Sequence, residues 1–330
     1  MHILICGGAG YIGSHMAKML VARGERVTVF DNLSTGHREA VQWGPLIEGD
    51  LLVPGNIDRA LQAGTYDAVM HFSAKSLVGE SVSHPDRYYL NNVVGTVNLL
   101  NALVRHRIDK FIFSSSAAVF GNPEYTPIDE QHPTRPINPY GKTKLMVESL
   151  LADYDHAYGL RSVSLRYFNA AGADPDARIG ESHDPETHLI PNILLSVVKR
   201  GGQTLKVFGK DYSTPDGTCV RDYIHVNDLC DAHLRALDYL TQGGKTEIFN
   251  LGNGRGFSVL EVIRSASHIT GGEVPYSVVA RRAGDPPVLV ASAEKARRQL
   301  KWTPRYTELG EIIETAWRWH RGRGFQAKPG

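Results

Sequence analysis

The sequence predicts an α/β fold: a doubly wound parallel sheet of the Rossmann type, followed by a smaller mixed α/β substrate-binding part. Three observations predict it. Short apolar strands alternate with helix-period segments through the first half. The first strand runs directly into a glycine-rich turn that opens a helix. The regular rhythm then fails after about Gly172, where a stretch rich in Gly, Asp and Pro begins a different pattern.

Taken in order, residues 2–6 form a short β-type run, and residues 11–22 carry helix spacing. A second strand over 26–30 ends at Asp31. Further strands are expected at 68–72 and 111–114, with one long helix between them from about 85 to 105. Another helix starts near Pro139, where proline suits a first helical turn. A strand over 162–166 leads into Tyr167-Phe168-Asn169. Strands this apolar, separated by helices, belong to a parallel sheet covered on both faces. Residues 172–187 read as loop. The expected division is a cofactor domain over 1–170 and a substrate domain over 171–330, with parts of the second half returning to the first. The segment at Arg221-Asp222-Tyr223 is the candidate for that return, and residues 326–330 read as a loose end.

Bulk properties narrow the function. A chain of 330 residues has room for about two domains and a sizeable core. A formal net charge of +1 gives no reason to expect nucleic acid or an acidic membrane as partner. The 14 histidines look scattered, without a ligand-spaced cluster, so no metal is expected. Cys6, Cys219 and Cys230 make an odd count without a CxxC pair, which argues against disulfides and zinc and for a reducing, cytoplasmic location. The N-terminal residues lack the apolar core of a signal peptide, and no apolar run approaches the roughly 18 residues of a membrane span.

Two glycine frames overlap after the first strand. Gly8-Ala9-Gly10-Tyr11-Ile12-Gly13 fits GxGxxG, and Gly7, Gly10 and Gly13 fit GxxGxxG. Either is weak alone; strand before and helix after supply the required context. Glycine permits a tight turn and close approach to a pyrophosphate, whose charge then meets the free amides of the helix N-terminus. Asp31 ends the second strand near the spacing at which a carboxylate accepts the adenosine ribose hydroxyls, so NAD is expected rather than NADP.

Tyr140 and Lys144 form YxxxK, and a spacing of four puts both on one helix face. A tyrosine with its ordinary pKa of about 10 is a poor base at neutral pH. A nearby ammonium is expected to lower that value, with the positively charged nicotinamide adding to the effect, and so make Tyr140 a general base. The pair gains weight from FIFSSSAA over 111–118, whose serines end a strand ahead of it. Ser116 is the first choice to bond the same reacting oxygen, ahead of Ser115 and Ser114; ordinary loop capping is the alternative for all three.

These motifs together resemble the extended short-chain dehydrogenase/reductase family, most closely its nucleotide-sugar 4-epimerases. The likeness spans nearly the whole chain. It takes in the glycine turn, Asp31-Asn32-Leu33, Glu48-Gly49-Asp50, His71-Phe72-Ser73-Ala74, Val78-Gly79-Glu80-Ser81, Asn91-Asn92, YGKTKLMVE and LRYFNAAG. In the second half it takes in VRDYIHVNDL, FNLGNG and RRAGDPP. The resemblance implies bound NAD, held by Gly7, Gly10, Tyr11, Ile12 and Gly13 at the pyrophosphate and by Asp31, Asn32 and Ser34 at the adenosine ribose. It places Asp50 and Leu51 beside the adenine, Phe72, Ser73, Ala74 and Asn91 along the pyrophosphate and ribose, and Lys144 and Phe168 at the nicotinamide end, with Tyr140 also touching the cofactor. Ser116, Tyr140, Asn169, His188, Leu189, Phe208, Arg221, Arg282 and Asp285 would hold a UDP-sugar. Arginine suits the diphosphate because its fork can bind two oxygens; read from the residues alone, Arg221 and Arg282 are as well explained as solvated charges.

The reaction implied is reversible 4-epimerisation of UDP-galactose and UDP-glucose. Tyr140 takes the proton of the 4-hydroxyl as hydride leaves C4 for NAD, and the resulting 4-keto sugar turns over and takes the hydride back on its other face. A homodimer is also implied, with helices near 85–105 and 139–158 as candidate interface. The chain departs from the family pattern in places: Lys75-Ser76 stands where many relatives have Leu-Lys, Phe120 replaces a tyrosine, and His188 replaces an asparagine. Leu289 lies near a position that gates the sugar pocket, which keeps N-acetylated UDP-sugars open as substrates; a core leucine is the plain alternative. A sugar dehydratase would need an acid after Ser116, where Ala117 and Ala118 stand. A UDP-glucuronate 4-epimerase would share Tyr, Lys and Ser, and a non-catalytic NAD-binding regulator would have no need of them.

Overall fold

The structure, a computed structural model, describes residues 1–198, 204–282, 285–322 and 325. The expected loose end at 326–330 lies outside the described residues, as do Ala283 and Gly284 of the RRAGDPP segment. The strands are β1 His2–Cys6, β2 Arg26–Asp31, β3 Leu46–Glu48, β4 Ala68–His71, β5 Lys110–Ser116, β6 Arg161–Tyr167 and β7 Asn169–Ala171. They continue as β8 Leu205–Phe208, β9 Val220–His225, β10 Glu247–Leu251, β11 Gly256–Ser258, β12 Tyr276–Val279 and β13 Val288–Leu289. The helices are α1 Tyr11–Ala22, α2 Pro54–Gln62, α3 Val78–Ser83, α4 Pro85–Tyr88, α5 Gly95–Arg105 and α6 Pro139–Tyr158, then α7 Leu189–Val198, α8 Val226–Thr241, α9 Val259–Thr270, α10 Glu294–Gln299 and α11 Leu309–Arg321.

Seven strands form one sheet in the order β10-β6-β5-β4-β1-β2-β3, every neighbouring pair parallel. Winding reverses between β1 and β4, which defines the doubly wound class. One face packs on α1 and α8, with Met16, Leu20, Leu229 and Leu237 against Ile3, Ile5, Val163 and Phe249. The other face packs on α2, α5 and α6, with Ile57, Leu99, Leu103, Val147 and Leu151 against Leu4, Cys6, Phe111 and Phe113. The strands are buried on both faces, which is why they read as continuous apolar runs.

The second half builds its own layer. β9 is the hub of a four-stranded sheet, flanked by antiparallel β11 and parallel β13, with β7 also pairing to it. Helices α7, α9 and α11 share a third core with Ile193, Val262, Ile263, Ile312 and Ile313. The segment at Arg221–Tyr223 lies in that sheet. It is the following helix and strand, α8 and β10, that join the first core and the main sheet.

The long helix expected over 85–105 is broken. α4 and α5 are separated by a π-helical turn, Tyr89–Val94. This wide turn carries Asn91 and Asn92 and presses on α6, a placement common for such turns at functional sites. The cysteines Cys6, Cys219 and Cys230 are free and buried. Among the described residues no helix is long and apolar enough to cross a membrane.

Candidate active site at the carboxyl edge of the sheet

The crevice at the switch point between β1 and β4 is where open α/β sheets take ligands. β1 ends at Cys6, and the chain turns at Gly7 with φ +82°, a conformation that favours glycine. A β-carbon on Gly7 would lie 2.6 Å from the Ser73 amide nitrogen, and one on Gly13 would lie 2.2 Å from the Gly7 carbonyl oxygen. Both outer glycines of the GxxGxxG frame are therefore demanded by close backbone approach, whereas Gly8 packs on Val29. Gly10 caps α1 in extended conformation with no side-chain cap. The amides at that helix end stay available to an anion.

Asp31 is buried at the end of β2. Its two oxygens accept the Ala9 amide at 2.9 Å and the Leu33 amide at 2.8 Å. Burial pushes its carboxyl up, and those amides work against the shift. The residue thus braces the glycine turn, while each carboxylate oxygen keeps a lone pair for a ribose hydroxyl. Asn32 donates to Asp50 at 3.0 Å and accepts the Ser34 amide at 3.0 Å, tying the ends of β2 and β3. Leu51 is buried beside Gly95. Phe72 lies tilted against the His233 ring, centres 4.9 Å apart, and Ser73 lies against Gly7 with Ala74 next in line. Tyr11 donates to the Gly172 carbonyl at 2.6 Å, and the Ile12 carbonyl faces the Cys230 thiol, so the start of α1 is joined to the second half.

Asn91 bonds its neighbour: its amide donates to Asn92 Oδ1 at 2.9 Å. Asn92, to which the sequence reading gave no role, grips both the amide and the carbonyl of Lys75, at 2.8 and 2.9 Å, and reaches Thr143 on α6 at 3.1 Å.

The start of α6 is fixed from both sides. Asn138 accepts the Gly141 amide at 2.9 Å, with Pro139 in the first turn. A β-carbon on Gly141 would lie 2.3 Å from the Ala118 carbonyl oxygen, so the helix presses directly on the turn that follows β5. This brings Ser116 close enough to Tyr140 to act on its phenol. Ser116 also accepts the Ala118 amide at 3.2 Å, so it caps the turn as well. Its neighbours are otherwise engaged: Ser114 pairs with the Tyr167 hydroxyl at 2.8 Å, and Ser115 donates to Glu148 at 2.6 Å.

Lys144 is buried, donates to the Ser114 carbonyl at 2.7 Å, and lies 5.8 Å from the Tyr140 ring centre and 4.7 Å from that of Phe113. Burial pushes Lys144 down to about 7, against the pull of Glu148. The expectation that the ammonium lowers the tyrosine pKa is corrected here. Burial pushes the Tyr140 phenol up, and Ser116 only partly offsets this. The lysine proton goes to a backbone carbonyl rather than the phenol, so a further positive charge is needed before Tyr140 becomes a base at neutral pH.

One turn beyond Lys144, Glu148 forms a buried pair with Arg166, at 2.9 and 2.6 Å, which fastens α6 to β6 beneath the site. The signal for Glu148 was available, since it continues the i, i+4 face of Tyr140 and Lys144.

On the substrate side, β7 places Asn169 opposite Tyr223, and β13 places Leu289 opposite Arg221. Arg221 pairs with Asp285, and the Arg282 guanidinium lies 3.8 Å from the Phe208 ring centre. Arg282 and Asp285 line an open cleft of about 590 Å³ together with residues 122–126 and Tyr212. Leu289, like Ala117 and Phe168, packs on the cluster of Val119, Phe120 and Ile128, next to the Ser116 turn. Leu189 opens α7 and packs on the third core.

His188 is the member the structure does not bring to this group: its Nδ1 lies 2.7 Å from Glu181 and 3.2 Å from Glu186. The expectation of scattered histidines also fails here. Glu181, His183, Glu186 and His188 bring one donor atom each within 4.8 Å of all the others. Burial works against charge on both rings, yet the two glutamates outweigh it and hold His183 up to about 9 and His188 up to about 10.

Residues 3–252 match the NAD dependent epimerase/dehydratase family. The chain belongs to that family. It is similar to the UDP-glucose 4-epimerase of Halalkalibacterium halodurans, with 50% identity over 97% of this chain and 96% of the relative. It is similar in structure to the UDP-glucose 4-epimerase of Brucella ovis in complex with NAD, with 50% identity, a TM-score of 0.94, and coverage of 97% of this chain and 98% of that one. A Bifidobacterium longum UDP-glucose 4-epimerase in complex with NAD+ and UDP gives 35% identity and a TM-score of 0.91 over 97% of this chain and 98% of that one.

Proposed function

We propose that the chain is an NAD-dependent epimerase that interconverts UDP-galactose and UDP-glucose through a 4-keto sugar. The observation that carries this is the half-buried Ser116 and Tyr140 gathered with the buried Lys144 beside a glycine turn that closes on Ser73. The residues fit NAD: β-carbons at Gly7 or Gly13 would fill the backbone cradle, and the buried Asp31 carboxylate suits a ribose diol and repels an added phosphate. When bound, NAD supplies the acceptor and donor of hydride at the sugar C4 and a positive charge beside the phenol.

The chain itself supplies orientation and proton transfer. Lys144 holds the nicotinamide ribose. Ser116 and Tyr140 share the sugar 4-hydroxyl, with Tyr140 taking its proton and returning it. Arg221, Arg282 and Asn169 grip the UDP, with Phe208 and Asp285 setting the guanidinium positions, so the sugar can turn while its anchor stays fixed. Ala117 and Ala118 offer no acid or base for eliminating water, which favours epimerisation over dehydration. His188 and Leu189 complete the substrate wall only if the His188 ring leaves the glutamates. The same proposal divides the chain near residue 170, with α8 and β10 counted in the cofactor part.

The partner chain is a second copy. Leu90 and Val94 on the π-helical turn and Met146 on α6 are exposed apolar residues on the expected helices. Gel filtration with light scattering reads this: a dimer is expected, with Leu90→Glu shifting it to monomer. Three unpaired buried cysteines support a reducing, cytoplasmic setting. The activity is tested by coupling UDP-galactose conversion to UDP-glucose dehydrogenase. NADH formation dependent on this chain is expected, and none at any protein concentration overturns the reading.

A further inference from the structure

The loop between β7 and α7 has a second chemistry that the epimerase reading does not use. Its ligand-type residues follow the spacing Glu181-x-His183-x-x-Glu186-x-His188. Both histidines turn the same ring nitrogen to the same point. Nδ1 of His183 lies 3.1 Å from Glu181 and 3.7 Å from Glu186, and Nδ1 of His188 lies 2.7 and 3.2 Å from the same two carboxylates. Four ligands at about 2.0–2.1 Å from a tetrahedral zinc ion stand roughly 3.3 Å apart. The four separations bracket that edge, with Glu186 meeting His183 through Oε2 and His188 through Oε1, and one donor from each residue lies within 4.8 Å of all the others, so side-chain rotations would seat an ion.

The surroundings hold the loop in place for this. The Glu181 carbonyl accepts the Trp319 indole N–H at 2.9 Å. Glu186 Oε1 accepts the Thr187 and His188 amides at 2.8 Å each, which leaves Oε2 toward His183. The Glu181 side chain is 5% exposed and that of Glu186 is 6%, so two carboxylates are withdrawn from water beside two imidazoles, a setting that favours a bound cation. Imidazole nitrogen with carboxylate oxygen suits zinc better than the hard, all-oxygen preference of magnesium or calcium.

We propose that Glu181, His183, Glu186 and His188 bind one zinc ion that clips the 181–188 loop to the entrance of α7. His183 lines the small cleft at Gly10, Tyr11 and Ser14, and His188 directly precedes Leu189, the first residue of α7. The ion would therefore sit between the start of the substrate-side helix and the cleft beside the glycine turn. Binding takes neutral imidazoles and ionised carboxylates; any protons on the rings pass to solvent, and no electrons move.

The test uses untagged full-length protein, stripped with EDTA, freed of chelator and titrated with zinc chloride. Elemental analysis after gel filtration is expected to give one zinc per chain, with a rise of several degrees in Tm that EDTA reverses. Cobalt(II) in its place is expected to show the intense visible bands of a tetrahedral site. Glu186→Gln and His183→Asn should each lose the ion and the Tm response, whereas His156→Ala, at an exposed histidine elsewhere, should keep both. Wild-type protein that retains well under one zinc per chain and shows no zinc-dependent Tm overturns the proposal. So does undiminished binding by Glu186→Gln. The wild-type titration decides the matter even if a variant fails to fold.

Discussion

Glu148 is the residue on which the geometry beneath the site depends most. Its carboxylate accepts two bonds from Arg166 and one from Ser115, with side chains only 3% and 5% exposed across the pair. Glu148→Gln keeps the shape and removes the charge, which leaves the guanidinium buried without a counterion. Breaking a buried pair from one side costs about 3–5 kcal/mol. With roughly 2–4 °C of Tm per kcal/mol for domains of 150–250 residues, the variant should melt on the order of 10 °C lower. Replacing both partners by apolar residues is often close to neutral, so Glu148→Leu with Arg166→Met should recover most of the loss. Calorimetry and urea unfolding on Glu148→Gln, Glu148→Leu, Arg166→Met, the double variant and wild type give the cycle. A Gln variant within about 2 °C of wild type, or a double variant as unstable as the sum of its singles, would refute the reasoning.

Tyr140→Phe should fold and keep NAD yet lose about 100- to 10,000-fold in turnover, read by the coupled assay alongside bound-cofactor absorbance; wild-type turnover would remove Tyr140 as the base. Lys144 gives a pH signature. Its folded value of about 7 lies below the ordinary 10.5, so the unfolded chain binds the extra proton between those limits and stability from this group rises with pH across them. Cofactor-free Lys144→Met should therefore be more stable than wild type near pH 7, with the gap closing toward pH 10 in urea titrations; a constant gap contradicts the burial argument. Leu289 packs on the same Val119–Phe120–Ile128 cluster as Ala117 and Phe168, so Leu289→Ala should raise kcat/KM for UDP-GalNAc relative to UDP-galactose by about tenfold or more. An unchanged ratio would make Leu289 a packing residue only.

Much of this was legible in the chain. β1, α1 and β2 fall where period and glycine placed them, because a buried parallel strand followed by a turn that tolerates no β-carbon leaves few alternatives. The break at Tyr89–Val94 was not legible, since its period is nearly helical and Asn92's partners at Lys75 and Thr143 are remote in sequence. The glutamate–histidine quartet was missed because its spacing matches no helical or CxxC pattern and emerges only when an irregular loop folds back. The direction of the Tyr140 shift in the cofactor-free chain was not legible for a different reason. Spacing on a helix places Lys144 near the phenol but says nothing of burial, and burial decides the sign.

The measurement that tests the account most directly is proton NMR of the purified protein with UDP-galactose deuterated at C4, with no NAD added. The account predicts that UDP-glucose appears at its anomeric signal while the deuterium stays at C4, because the hydride leaves and returns within one turnover on a retained cofactor. No conversion even after NAD is supplied, or conversion with deuterium lost to water, would contradict it.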